Sequence, residues 1–222
     1  YHNLSFEDRL YQLLDAQDIF LNNRRIQMNL KLSKIKNKQA LIENIDYDPK
    51  REINKAQILS LSSMDFIRSH QNVTINGKAG TGKSSMAQAF GIRAIQNDFT
   101  VYYIRTATLL EDIKFARIDG SYTNLVKRFA RYKLLILDDF GVSPISVDDA
   151  TNLFEIIETR NQLSSTIITS QLPVKDWYGY LQNNTVADAI LDRVVHSSHR
   201  IEIEGDSLRP KYSNLNQKFE EN

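Results

Sequence analysis

Residues 72–85 read NVTINGKAGTGKSS, and the fold turns on how they are read. An alternating apolar run from Val73 to Asn76 opens into a loop with three glycines. Gly77 to Ser84 fits G-x-x-x-x-G-K-[ST] at every constrained position. Glycines at this spacing let successive backbone N–H groups wrap phosphates, and a helix beginning there points its positive end at them. Lys83 is placed to reach the β- and γ-phosphates, and Ser84 to offer its hydroxyl to magnesium. Gly77, Lys78, Ala79, Gly80, Thr81, Gly82, Lys83, Ser84 and Ser85 are therefore candidate nucleotide-binding residues, with ATP and Mg2+ as the implied cofactors.

Working outward, KLLILDDFG (133–141) supplies the matching half. Four apolar residues ending in Asp138 read as a buried strand delivering a carboxylate beside the metal. Asp139 follows as the residue to orient a water for attack on the γ-phosphate. Taken alone, an acidic pair here could equally cap the next helix. One strand-and-helix unit is expected between the two motifs. Beyond them TIITSQ (166–171) ends in polar side chains, where Gln171, then Ser170, is the candidate for touching the γ-phosphate or the water. The alternative is a simple loop start before Pro173.

Apolar strand candidates fall at 73–76, 101–105, 134–139, 166–170 and 200–204, with helix patterns between them. This alternation predicts an α/β fold with a five-stranded parallel sheet flanked by helices. The composition, 41% apolar and 25% charged over 222 residues, suits one such globular domain with a small appended module. With no cysteines, thiolate zinc sites, disulfide scaffolds and thiol nucleophiles are excluded. No membrane span or signal segment is evident, which suggests a cytoplasmic protein without membrane partners; a sequence starting at Tyr1 gives that little weight.

The first fifty residues read as a helical DNA-binding or oligomerisation module, 51–210 as the nucleotide-binding core, and 211–222 as a polar, frayed tail. In SFEDRLYQLLDAQDIFL (5–21), Ser5 with Asp8 resembles a capping box before a helical pattern. From Ile19 to Ile42 there is no acidic residue. Here Arg24, Arg25, Lys31, Lys34 and Lys38 are candidate phosphate contacts, and a continuous helix would align Arg24, Lys31, Lys34 and Lys38 in one stripe. With Lys36 the stretch holds six basic side chains, and six each neutralising a DNA phosphate would give a log K against log salt slope of about −5. A merely solvated basic face is the alternative. NIDYDPKREIN (44–54) reads as a linker, and KAQILSLSSMDFIRS (55–69) as one apolar helix leading to the glycine loop. Lys114 and Arg117, beside RIDGSY (117–122) and near Lys127, Arg128 and Arg131, are further DNA candidates in a turning loop.

TSQLPVKDWYGYL (169–181) and VADAILDRVVHSSHRIEIEGDSLRP (186–210), together with FEDRL, RIDGSY and LLILDDFG, closely resemble the IstB-like ATPases, relatives of the DnaC helicase loaders. The resemblance runs from about Leu4 to Pro210. It implies an AAA+ ATPase core without a C-terminal lid domain, homo-oligomerisation on double-stranded DNA with ATP at the subunit interface, and help to a cognate transposase in choosing its target. It makes Arg193 a finger reaching a neighbouring subunit's γ-phosphate, and Arg209 a second nucleotide-sensing arginine. Without the resemblance, Arg193 reads as a surface ion pair with Asp192 or Asp188, inside a helix opened by a Thr185–Asp188 capping box. Trp177 is expected to pack. Many relatives carry Asp-Glu where this chain has Asp138-Asp139, which leaves the hydrolysis rate open. A helicase loader is the runner-up function, and a small-molecule kinase the reading from another class.

Overall fold

The computed structural model describes residues 5–196 and 198–208. Five parallel strands form one sheet in the order β2-β3-β4-β1-β5. They are β1 (Asn72–Gly77), β2 (Val101–Arg105), β3 (Leu134–Phe140), β4 (Ser165–Ser170) and β5 (Ser198–Ile203). Because the strands are parallel, their C-terminal ends share one edge. The chain leaves β1 for the far side of the sheet and returns to insert β4 beside it. That reversal opens a crevice at the carboxyl ends, where open α/β sheets bind ligands.

Helices pack on both faces because β2, β3 and β4 are apolar on both, whereas the buried apolar residues of β1 and β5 all face the first cluster. Ile75, Leu134, Ile136, Ile167 and Ile201 face one cluster with Phe90, Ile95, Phe66 and Ile58. Leu135, Leu137 and Ile168 face the other, with Leu109, Leu153, Ile190 and Trp177. The first cluster is covered by α2 (Lys55–Leu61), α3 (Asp65–Arg68) and α4 (Lys83–Gln96). The second is covered by α5 (Thr106–Ile118), α6 (Tyr122–Ala130), α7 (Val147–Arg160), α8 (Trp177–Tyr180) and α9 (Asn184–Val194). Two helices, α5 and α6, rather than one thus follow β2 on the way to β3. Gly120, at φ +77, breaks what would be a single run between α5 and α6. The fully buried Arg160 donates to Phe129 O at 2.6 Å, Tyr132 O at 2.8 Å and Ser165 O at 2.6 Å, tying the end of α6 to the start of β4. Burial lowers its pKa to about 9.

The N-terminal helix α1 spans Phe6–Leu32, with Ser5 accepting the Asp8 N–H as its cap, as the sequence suggested. The helix ends earlier than the basic stripe requires. Ser33 O accepts the Tyr103 N–H of edge strand β2 at 2.7 Å, and Gln88 Oε1 accepts the Lys36 and Asn37 N–H groups. Lys34 is then held at φ +61. Arg24 and Lys31 stay on the helix, whereas Lys34 and Lys38 leave it, so no continuous stripe forms. Ile26 and Leu30 rest on the core, while Phe6, Leu10, Leu13, Leu14, Phe20 and Leu21 are exposed.

The expected linker is not a gap in packing. Within 44–54, Ile45, Tyr47 and Ile53 pack partly buried against the first cluster, and a short 3-10 turn occupies Pro49–Arg51. The single helix expected over 55–69 is broken in two at Met64, which adopts φ +64. The capping box expected at Thr185 is also displaced. Asn183 caps α9, its Oδ1 accepting the Val186 N–H at 3.1 Å. Among the described residues no helix is long and apolar enough to cross a membrane.

Candidate nucleotide site

The glycine loop joins β1 to α4, and its shape depends on positions that only glycine fills. A Cβ on Gly77 would collide with Ile203 O of the neighbouring strand. Gly80, at φ +81, would collide with Ser207. Gly82 caps α4 at φ +90, so no side chain caps the first N–H groups of the helix, which follow directly on the loop. Thr81 is fully buried and turns inward, its Oγ1 donating to Lys78 O at 2.9 Å. Lys83 Nζ donates to Lys78 O at 2.7 Å, folded over the loop it encloses. Leu208 N donates to Gly80 O at 2.9 Å, bringing the chain after β5 against the loop.

A cavity of about 640 Å³ opens at this edge of the sheet. It is lined by Gly80, Gly82, Lys83, Ser84, Ser85, Asp139 and Gln171, by residues of the 37–46 segment, and by Arg51 and Leu208. Gln171 therefore stands in the cavity wall as expected. Ser170 does not: it is fully buried, and its hydroxyl donates to Phe140 O and Leu172 O.

The two acidic residues occupy different environments. Register between β3 and β4 shifts between Leu137 and Phe140, and Asp139 adopts φ +58 at this irregularity. The bulge turns Asp139 into the cavity wall, with Arg105 Nε 3.7 Å from its carboxylate. Asp138 is 1% exposed and does not line the cavity. Tyr103 OH from β2 donates to its Oδ2, and Thr169 Oγ1 from β4 donates to its Oδ1. Thr169 Oγ1 also accepts the Asp139 N–H at 3.0 Å, so one hydroxyl orders both acids. Burial first, then the Asp138 hydrogen bond, push the Tyr103 hydroxyl well above the usual tyrosine range.

Tyr103 and Thr169 were not identified from the sequence. Their signal was only that each is a hydroxyl near the end of a parallel strand. The donor set suits a hard cation: the Ser84 hydroxyl lies in the wall, and each Asp138 oxygen keeps a lone pair beyond the one its hydroxyl partner uses. Ser84, with Asp138 behind the wall, would be the residues to hold Mg2+.

Arg193 lies away from this cavity. Asn72 Nδ2, at the start of β1, donates to Arg193 O at 2.9 Å, whereas the loop begins at the other end of that strand. Five residues of strand separate the two ends, roughly 16 Å at about 3.3 Å per residue. An arginine side chain does not span that distance, so Arg193 does not reach the chain's own nucleotide. It pairs through Nε with Glu158 of α7, rather than with Asp192 or Asp188, and donates to Ala189 O at 3.1 Å. Its guanidinium lies 5.1 Å from the Phe154 ring centroid. Arg209 lies outside the described residues.

The core DNA candidates are neutralised within the chain. Lys114 Nζ is 3.0 Å from Asp149, and Arg117 pairs with Glu155 at 3.2 Å while stacking on Tyr122. Burial raises the Asp149 carboxyl, but the Ser146 hydrogen bonds and Lys114 outweigh it and hold it below the usual range. Arg25 pairs with Asp98. Trp177 packs as expected, fully buried with its ring centroid 4.5 Å from that of Phe140.

Comparison with known proteins gives this geometry a family. The sequence pattern of the "IstB-like ATP binding protein" family matches residues 1–216. The chain belongs to the IstB-like ATP-binding proteins. An IstB-like relative from Sinorhizobium fredii, named "Putative insertion sequence ATP-binding protein", is 40% identical over 93% of this chain and 84% of its own. An insertion sequence IS232 ATP-binding protein from Bacillus thuringiensis subsp. berliner is 32% identical over 95% of this chain and 84% of its own. Among solved structures, the DnaC helicase loader matches at TM-score 0.59 and 20% identity, over 75% of this chain and 98% of that one. The replication initiator DnaA bound to AMPPCP and single-stranded DNA matches at TM-score 0.62 and 19% identity. That match covers 77% of this chain and about half, 51%, of the DnaA chain. These two likenesses are of fold, the AAA+ P-loop core. The family and the glycine loop agree on ATP as the ligand of this IstB-like protein.

Proposed function

We propose that this chain is an ATP-hydrolysing assembly factor that oligomerises on duplex DNA and helps a transposase engage its target. The observation that carries the reading is the placement of Arg193. It lies at the opposite end of β1 from the chain's own loop, so a γ-phosphate that Arg193 stabilises belongs to another subunit. ATP then joins subunits, and assembly becomes part of the mechanism. In this reading Lys83 is the point charge at the β- and γ-phosphates, and Asp139 orients the attacking water and accepts its proton. Gln171 contacts the γ-phosphate or that water from the end of β4. Mg2+, held by Ser84 and Asp138, would neutralise charge developing on the phosphates. Arg209 contributes a second nucleotide-sensing contact. Helix α1 and the acid-free segment after it serve as the DNA-binding and oligomerisation module. The names of the relatives, all tied to insertion sequences, support a transposase partner over the helicase-loader alternative.

The test mixes two inactive variants. Arg193→Ala should still bind ATP through Gly77 to Ser84 but lose hydrolysis and ATP-dependent assembly together. An arginine supplied across an interface contributes on the order of 10³- to 10⁵-fold in phosphoryl transfer. Lys83→Ala should lose ATP binding. Combined, they should regain part of the activity, because one interface then joins an intact loop to an intact arginine. If the two variants are folded and co-assemble but stay inactive, the trans-arginine reading falls.

A further inference from the structure

Arg51 is a buried cation in the wall of the nucleotide cavity, and among the described residues it forms no ion pair, although Asp46 and Asp139 line the same cavity. It closes the 3-10 turn Pro49–Arg51 and is only 6% exposed. Nη1 donates to Asp46 O at 2.7 Å, and Nη2 donates to Thr81 O inside the glycine loop. Both partners are backbone carbonyls, and Nε is buried without a hydrogen-bond partner. The Arg51 carbonyl accepts the Glu204 N–H at 3.1 Å. One residue thus joins the chain before the sheet, the phosphate loop and the chain that follows β5.

Carbonyl dipoles recover only part of the hydration a guanidinium loses on burial, and an unpaired buried charge is costly. Arg160 is also held by carbonyls, but its Nε bonds Thr166 Oγ1, whereas the Nε of Arg51 is unbonded and Arg51 lines a cavity. The cavity that Arg51 lines with Gly82, Lys83 and Ser84 is where the phosphates of a nucleotide would sit. We propose that Arg51 is a positioning residue of the nucleotide site. It fixes the loop through Thr81 O and adds a second fixed positive charge, behind Lys83, for the phosphate chain. The proposal rests on the nucleotide reading and extends it to a residue outside the glycine motif.

The test uses the full chain carrying Arg51→Met, which keeps volume without charge, and Arg51→Lys, which keeps charge without the fork. Calorimetric titration with ADP is paired with thermal melting, without ligand and with adenosine as the phosphate-free control. For Arg51→Met, ADP affinity should fall about 10- to 100-fold, the range expected for a lost charge-assisted hydrogen bond. The salt dependence of ADP binding should flatten, and the melting shift given by adenosine should not change. The ligand-free melting temperature should hold or rise, since an uncompensated charge is gone. Arg51→Lys should retain more ADP affinity than Arg51→Met. Parental ADP affinity in Arg51→Met would overturn the proposal. So would equal weakening toward ADP and adenosine, or a lower ligand-free melting temperature with lysine no better than methionine, either of which makes Arg51 a structural brace. Failure of the parent chain to bind ADP or ATP would instead remove the nucleotide reading itself.

Discussion

Thr169→Val isolates the hydroxyl that holds the two acidic residues of the site in place. Valine matches threonine in shape, so the change removes chemistry while filling the same space. Two interactions go at once. The hydrogen bond to Asp138 is charge-assisted and lies where the carboxylate is 1% exposed, and such bonds contribute about 1.5–3 kcal/mol. The Asp139 N–H, now bonded to Thr169 Oγ1 at 3.0 Å, loses its acceptor, which costs about 1–3 kcal/mol where water cannot replace it. Burying a methyl instead of a hydroxyl returns a little of this, so the expected loss is about 2–5 kcal/mol. That is a large share of the roughly 5–15 kcal/mol typical of a domain. Tyr103→Phe removes only one donor to the same carboxylate and should cost about 1.5–3 kcal/mol. The double variant should lose more than the sum of the two, because in each single variant the other hydroxyl still supports the buried carboxylate. Urea unfolding at neutral pH without nucleotide measures all three. A Thr169→Val penalty below about 0.5 kcal/mol, the level of an ordinary surface substitution, would refute the reasoning that these hydroxyls hold the buried acid.

Asp139→Asn should bind ATP as the parent does but hydrolyse it about 10²- to 10⁴-fold more slowly, the usual contribution of a positioned base. Its complexes with DNA should live longer, and unchanged single-turnover hydrolysis would move the role elsewhere. Replacing Arg24 and Lys31 with Gln should weaken duplex binding evenly across sequences and flatten the salt slope by about 1.8 if both touch phosphates. Lys34→Gln with Lys38→Gln, off the helix, should be scored separately, and an unaltered slope in both sets would leave DNA to other surfaces. Burial first, then Glu155, raise the Tyr122 pKa to about 12. A raised folded-state value means stability is fully present below pH 10 and is lost as pH climbs from 10 toward 12. Tyr122→Phe should lack this part of the alkaline loss in melting curves taken across that window; identical curves for parent and variant would show that the shift is absent.

The glycine loop was legible because its constraints are local. Gly80 and Gly82 need backbone conformations that other residues resist, and Lys83 and Ser84 follow at fixed distances along the chain, so spacing alone carried the assignment. The five strands and their parallel direction were legible for a related reason, since short apolar runs alternate with helix patterns along the chain. Tertiary structure decided whatever depends on register between distant segments. Tyr103, Asp138 and Thr169 converge only because β2, β3 and β4 are aligned at their carboxyl ends, and no pattern within one strand announces that meeting. The bulge at Asp139 separated the acid that faces the cavity from the one held beneath it, although the two are adjacent in sequence. Helix α1 stops at Leu32 because the edge of β2 and Gln88 capture the following backbone, a competition that helical periodicity does not register. Arg51 looked like part of a linker because its partners, Asp46 O and Thr81 O, are backbone atoms and leave no mark in residue type. The separation of Arg193 from its own loop is likewise a property of the sheet: the two lie at opposite ends of one strand, and only the fold sets that distance.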